Sequence, residues 1–319
     1  MSFFDKKAIV DFDSENLSVM SDGILLKRIP CAVVRKKSET PVLIAYGKPA
    51  EKKKANLASN EMFCKPFSKG KVADEAGAKL LFKAALREVF GNNPFVSVYV
   101  LISGGLSEHD KQEIKYVVTS AGYGKVYLVP RPRVLATVLA GIGLHAGLYM
   151  DNDLAEFVLA GDDLLTSHVV DASLTTVAEN LSVKLLTDDK LVVSATDSLH
   201  IVQTSLSLFK EDLTPVICAG RDAITVSEKK VFFTAKDLYP LCESTYSKIT
   251  ALIDAALMDT EKDFALDAAQ KGILCLGEGS HFEGFTDYFY QILGITPLSH
   301  KNDFLLLSTA QAMVDRELL

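Results

Sequence analysis

At 319 residues with 48% hydrophobic side chains, the chain can bury one large core or two lobes of ordinary domain size, and two lobes are expected. A net charge of −7 with dispersed lysines gives no electrostatic footprint for nucleic acid or for anionic lipid. Five scattered cysteines without metal-ligand spacing fit reduced thiols, and residues 1–7 are too short and too quickly charged for a secretory signal, so a cytoplasmic location is expected.

Val10, Phe12, Leu17 and Val19 mark two short strands, and residues 23–26, 31–34 and 42–45 extend them into an antiparallel meander. The Lys-rich residues 48–71 interrupt it with weak patterning. Residues 76–86 have helical periodicity that stops at Gly91-Asn92-Asn93-Pro94. A buried strand at 96–102, a helix at 107–121 capped by Ser107 and a strand at 125–129 predict a parallel crossover. Residues 134–150 are apolar but shorter than the ~20 residues of a membrane span and contain His145, so a buried helix is the reading.

The strand-rich pattern then restarts, at 156–160, 167–170, 175–178, 183–186 and 191–194, as if the first lobe began again. Helices follow at 198–209 and 235–257. A strand at 272–276 runs into the turn Gly277-Glu278-Gly279-Ser280, and a helix at 308–319 closes the chain.

Two successive lobes of this kind resemble the actin, hexokinase and DnaK-type superfamily, and several segments are similar to the bacterial actin MreB. Residues 64–74 (CKPFSKGKVAD) resemble that family's "RP-kdGvIAD", residues 98–122 its strand and helix ending in "AGA", and residues 132–143 its "EPmAAAIGAG". Residues 216–222 resemble "v-GRn", and residues 276–285 the adenosine turn "tGGGalLrGl". The resemblance covers nearly the whole chain in order, with no motif intact. It implies an α/β, two-lobed actin-like (ribonuclease H-like repeat) fold with a central interlobe cleft. Lobe I would be 1–150 plus 300–319, with a small subdomain near 48–72. Lobe II would be 151–299, with a small subdomain near 184–245.

The resemblance also implies what nucleotide chemistry would need. The first phosphate loop, "D-x-G-T", uses an acid for metal and water, a glycine for close backbone approach, and a hydroxyl and amides for phosphate. Here it reads Asp11-Phe12-Asp13-Ser14, in which Asp13 is expected to point a carboxylate at the phosphate position. One such like-charge pair at about 4 Å costs ~1 kcal/mol in water and ~4 at an effective dielectric of 20. The second loop, "VDIGGGTTevaV", is matched to residues 158–169. There Leu159 replaces the metal-side acid, Gly161 remains, Asp162 and Asp163 replace glycines, and Leu164 and Leu165 replace threonines. The family's catalytic Glu aligns with Arg131, which cannot act as a general base. In the ribose-contacting helix the acid and lysine align with Leu199 and Val202, and only Gly277 and Gly279 of the adenosine turn remain.

The expectation is therefore a nucleotide-independent MreB-like pseudo-ATPase, a cytoskeletal scaffold, filament component or co-polymer. Asp11, Asp13, Ser14, Gly161, Asp162, Asp163, Gly277 and Gly279 are vestigial, with no catalytic residue, no metal and no cofactor. The alternatives are an active ATP- and Mg-binding cytoskeletal ATPase, or a monomeric actin-fold adaptor or chaperone-like subunit. A minor alternative has Asp11, Asp13, Asp162 and Asp163 converging on a divalent cation. Expected partners are further copies, actin-like proteins or other proteins, and no nucleic acid. Weak association with the inner membrane face rests on Phe3 and Phe4 alone.

Overall fold

A computed structural model of the chain describes residues 6–93, 95–123, 125–300, 302 and 304–318. The chain forms two compact units, Met1–Val138 with Phe304–Leu319, and Leu139–Asp303.

The first unit opens with the antiparallel meander β1 (Lys6–Phe12), β2 (Asn16–Ser21) and β3 (Ile24–Pro30). A side sheet follows, built from β4 (Val33–Lys36), β5 (Leu43–Tyr46) and β6 (Glu61–Cys64) with the short helix α1 (Lys48–Lys53). This side sheet begins at Val33, before the 48–72 span expected for a small subdomain. The two-residue strands β7 (Phe67–Ser68) and β8 (Lys71–Val72) lead into α2 (Glu75–Phe90), whose N-cap Asp74 accepts the Gly77 N–H. Then come β9 (Val96–Ile102), α3 (Glu108–Thr119), β10 (Lys125–Pro130) and α4 (Arg131–Ile142). Ser107 starts α3 as expected, in a capping box with Asp110.

The sheet order is β10-β9-β1-β2-β3, with β1, β9 and β10 mutually parallel. Such a sheet, covered by crossover helices, is buried on both faces, and β9 accordingly has six buried residues out of seven. Phe12, Phe67 and Phe82 join β1, β7 and α2 in the core, with ring centroids 4.3 to 6.0 Å apart.

The second unit repeats this plan. β11 (Ala146–Met150), β12 (Ala155–Ala160) and β13 (Leu165–Val170) form its meander. α5 (Leu174–Asp189), β14 (Leu191–Val192), α6 (Ala195–Ser205), β15 (Pro215–Asp222) and β16 (Glu228–Thr234) build its side layer. α7 (Ala235–Met258), α8 (Lys262–Lys271), β17 (Ile273–Leu276), a 3-10 turn (Glu278–His281), α9 (Phe285–Leu293) and β18 (Pro297–Ser299) complete it. The order β18-β17-β11-β12-β13 reproduces that of the first sheet strand for strand, including the parallel β11–β17–β18 side. α10 (Leu305–Asp315) returns to the first unit, where Lys7 Nζ donates to the Val314 carbonyl at 3.0 Å.

Three expectations are corrected. Residues 175–178 and 183–186 are not strands but parts of α5. Leu174, Val177, Ala178, Leu181 and Leu185 recur every three or four residues on its buried face, and Ser173 caps it through the Thr176 N–H. The β-branched run Thr175-Thr176-Val177 and Val183 imitate strands. Residues 134–150 are not one buried helix but the end of α4, a turn at Gly143 and the fully buried β11. Because β11 pairs with β12 and β17, the boundary between units lies at Val138/Leu139 rather than near 150.

Among the described residues no helix is long and apolar enough to cross a membrane. Phe3 and Phe4, on which membrane association rested, lie outside the described residues. None of the five cysteines, all of them among the described residues, forms a disulfide. Burial pushes Cys64 and Cys218 up to about 11, and Cys242 and Cys275 up to about 12.

Candidate functional site

In each unit the first two strands are joined by a tight turn, and the two turns are built alike. In the first, β1 ends at Phe12 and β2 starts at Asn16. Asp13 Oδ1 accepts the Glu15 N–H at 2.7 Å and the Asn16 N–H at 2.6 Å, while the Asp13 N–H donates to the Asn16 carbonyl at 2.9 Å. Asp and Asn close turns in this way because a short side chain can reach the amides two and three residues on. The Asp13 carboxylate, which the sequence pointed toward a phosphate position, is folded back onto its own turn. It accepts hydrogen bonds from the turn's own amides. Ser14 is buried within the turn, and Glu15 pairs with Lys65.

Asp11, two residues before the turn, pairs with Arg131 at the start of α4, Nη2 to Oδ1 at 3.1 Å. Arg131 is only 4% exposed. The arginine that the resemblance aligns with a catalytic Glu is thus the counter-ion of the acid it aligns with the metal side.

The structural repeat relocates the second turn. β12 pairs antiparallel with β11, so the β11–β12 turn at Asp151–Asn152–Asp153–Leu154 is the counterpart of Asp13–Asn16. Gly161, Asp162 and Asp163 belong instead to the β12–β13 turn at the opposite end of the sheet, the counterpart of Asp22-Gly23. Leu159, matched by sequence to the metal-side acid, is buried in β12. When the family pattern is placed on the correct turn, Tyr149 stands for that acid and Asp151, Asn152 and Asp153 for the three glycines. Leu154 and Ala155 then stand for the threonines.

Here the hydrogen bonding of the first turn recurs. Asp151 Oδ1 accepts the Asp153 and Leu154 N–H groups, both at 2.8 Å, and the Asp151 N–H donates to the Leu154 carbonyl at 3.1 Å. Asn152 Nδ2 also donates to Glu278 Oε2 at 2.9 Å, tying this turn to the Gly277–Gly279 segment. Sequence reading missed Asp151, Asn152 and Asp153. The available signal was the repeat itself, a strand followed by Asp-Ser-Glu-Asn in one unit and by Asp-Asn-Asp-Leu in the other.

The retained glycines have local reasons. A Cβ on Gly277 (φ +86°) would lie 2.3 Å from the Met150 carbonyl oxygen, and one on Gly279 would lie 2.9 Å from Met150 Cβ. Both permit close approach to β11. A Cβ on Gly161 would meet the Phe264 ring at 2.7 Å. Leu199 and Val202 of α6 are buried in the core of the second unit, so that helix turns an apolar face inward where the family has an acid and a lysine.

Asp162 and Asp163 are exposed, beside a cavity of about 540 Å³ that His145, Asp259, Glu261 and Phe264 also line. Asp162 and Asp163 thus belong to a different turn from the one that corresponds to Asp13. Among the described residues no group of three His, Cys, Asp or Glu side chains is arranged to hold a metal ion.

The architecture has clear relatives. The chain is similar over 98% of its length, and 97% of the other, to MreB5 of Spiroplasma citri bound to ADP, with a TM-score of 0.85 at 17% identity. The same protein bound to AMPPNP gives 0.84 at 17% identity, over 98% of both chains. A MamK double helical filament gives 0.80 at 13% identity, over 97% of this chain and 99% of that one. These likenesses establish an actin-like fold, and the MreB/Mbl protein family model matches residues 9–305. The chain therefore belongs to the MreB/Mbl family of actin-fold cytoskeletal proteins.

Proposed function

We propose that this protein is a nucleotide-independent MreB-like scaffold, a pseudo-ATPase that assembles with itself or with other actin-like chains. The observation that carries the reading is the Asp11–Arg131 ion pair. A residue at the position of the catalytic Glu bears the opposite charge and neutralises the acid that would face metal. Asp13 and Asp151 support it, since each occupies two turn amides that a phosphate would otherwise use. Mg-ATP does not fit this donor set, which lacks the glycines, the second metal-side acid and the base.

Assembly is proposed because the similar MamK chains form a double helical filament. Self-association of that kind needs only a head-to-tail contact that does not close. Without nucleotide turnover, concentration or a partner sets the extent of assembly.

The test is purification followed by nucleotide extraction, titration calorimetry with Mg-ATP, phosphate release, and pelleting with electron microscopy. The expected result is no bound nucleotide, no phosphate release and the same assembly curve with and without ATP. Stoichiometric nucleotide with micromolar affinity would overturn the reading, and monomers at every concentration would replace the scaffold by an adaptor.

A further inference from the structure

We infer that Asp13 and Asp151 are internal ligands, each standing in its own turn for the phosphate group of a nucleotide, so that both turns are ordered without one. The inference rests on the nucleotide-independent reading and specifies which side chains replace the nucleotide. Two facts carry it. The two aspartates occupy equivalent positions in a repeated topology, each in the turn after the first strand of its sheet. Each makes the same set of bonds, accepting the N–H groups of residues i+2 and i+3 through Oδ1 while its own N–H donates to the carbonyl of residue i+3.

Successive backbone N–H groups in a tight turn form a concavity of positive potential that binds anions. A carboxylate covalently attached to the turn occupies that concavity at no cost in association entropy, which a free phosphoanion would have to overcome. It also repels one. A glycine there leaves the amides open; an aspartate closes them.

Asp222 supplies a control inside the same chain. Its Oδ1 accepts the Ile224 and Thr225 N–H groups at 2.8 and 2.9 Å in the β15–β16 turn, with the same spacing but outside the repeated position. A turn of this kind is a general device. The assignment is that only those at residues 13 and 151 are built on phosphate cradles.

The experiment compares the full-length protein with D13G, D151G, the double variant and D222G. Amide exchange is followed at Glu15, Asn16, Asp153, Leu154, Ile224 and Thr225, with and without millimolar pyrophosphate. In the wild type the first four amides are protected and pyrophosphate changes nothing. In D13G and D151G the affected pair exchanges about tenfold faster, and pyrophosphate restores the protection. In D222G exchange quickens at Ile224 and Thr225, and pyrophosphate restores nothing.

Protection of the β9 and β17 amides verifies that the variants are folded. D13N and D151N keep an oxygen acceptor and serve if a glycine variant does not fold: both retain the wild-type protection and ignore pyrophosphate. The inference is overturned by free exchange of the four amides in the wild type. It is equally overturned by a pyrophosphate response in the wild type or the Asn variants, or by an equal response in D222G. Hydrolysis of ATP by a wild type whose turn amides stay protected would sink the nucleotide-independent reading and leave this inference standing. Freely exchanging turns in a protein that binds no nucleotide would do the reverse.

Discussion

The two turns share one hydrogen-bonding scheme but differ in what precedes and anchors them. Before the first stands Asp11, whose charge is met by Arg131; before the second stands Tyr149, buried and uncharged. The first unit has an acid there and a cation that meets it. The second has no acid there, and its turn is tied to the glycine segment by the Asn152–Glu278 bond. The same outcome, a turn ordered by its own side chains, thus rests on an ion pair in one unit and on neutral packing with a hydrogen bond in the other. Substitutions should therefore act differently in the two units.

The largest effect is expected at Arg131. R131E would put a second carboxylate beside Asp11 at a position 4% exposed. Removing one partner of a buried pair costs about 3–5 kcal/mol. The loss should be read as faster amide exchange in β1 and β9, with β11 and β17 unchanged. The double variant D11N/R131M removes both charges and should lie within about 1 kcal/mol of the wild type, because replacing both members of a buried pair is often neutral. An R131E protein as stable as the wild type would mean that the pair does not hold the first unit.

Next is G277A in the second unit. At φ +86° and ψ 166° the backbone is in a region that only glycine tolerates, and the new Cβ would sit 2.3 Å from the Met150 carbonyl. Strain and overpacking together should cost about 3 kcal/mol, confined to β11 and β17. If Gly277 were only a relic of adenosine binding, unfolding in urea would show no change.

Smaller again is N152A. It removes the donor to Glu278 and should cost about 1 kcal/mol, read as local exchange in β11. A null result would leave the second turn held by Asp151 alone.

Much of this was legible in the sequence. The restart of the strand pattern after residue 150 gave the repeat, and the order of weak motifs gave the family, because hydrophobic periodicity and segment order survive when site chemistry changes. The second turn was not legible for a specific reason. A glycine-rich motif is found by its glycines, and the true turn has none, whereas Gly161 offers one that its packing on Phe264 explains. Side-chain direction was equally hidden. Nothing in Asp-Phe-Asp-Ser says whether the Asp13 carboxylate points outward or back onto its own backbone, and only the hydrogen bonds decide it. The Arg131–Asp11 pair joins residues 120 positions apart, a contact that requires the β1–α4 geometry.

The mildest expected effect is at the third turn, and it separates charge from geometry. The Asp222 carboxyl is held well below the usual carboxylate range by the Thr225 N–H, the Lys229 ammonium at 3.0 Å and the Ile224 N–H. Its folded value is depressed, so the stabilisation it gives is present above the unfolded value of about 4 and is lost as pH falls toward the folded value. Amide protection at Ile224 and Thr225 should therefore be flat near neutrality and decline below about pH 4. D222N keeps an oxygen acceptor, as D13N and D151N do, but it also loses the charge that pairs with Lys229 in this turn, so its protection should start lower and show no such decline. A wild-type turn whose protection does not change between about pH 5 and pH 2 would mean that the amides, and not the Lys229 pairing or the carboxylate charge, set the stability of turns of this kind.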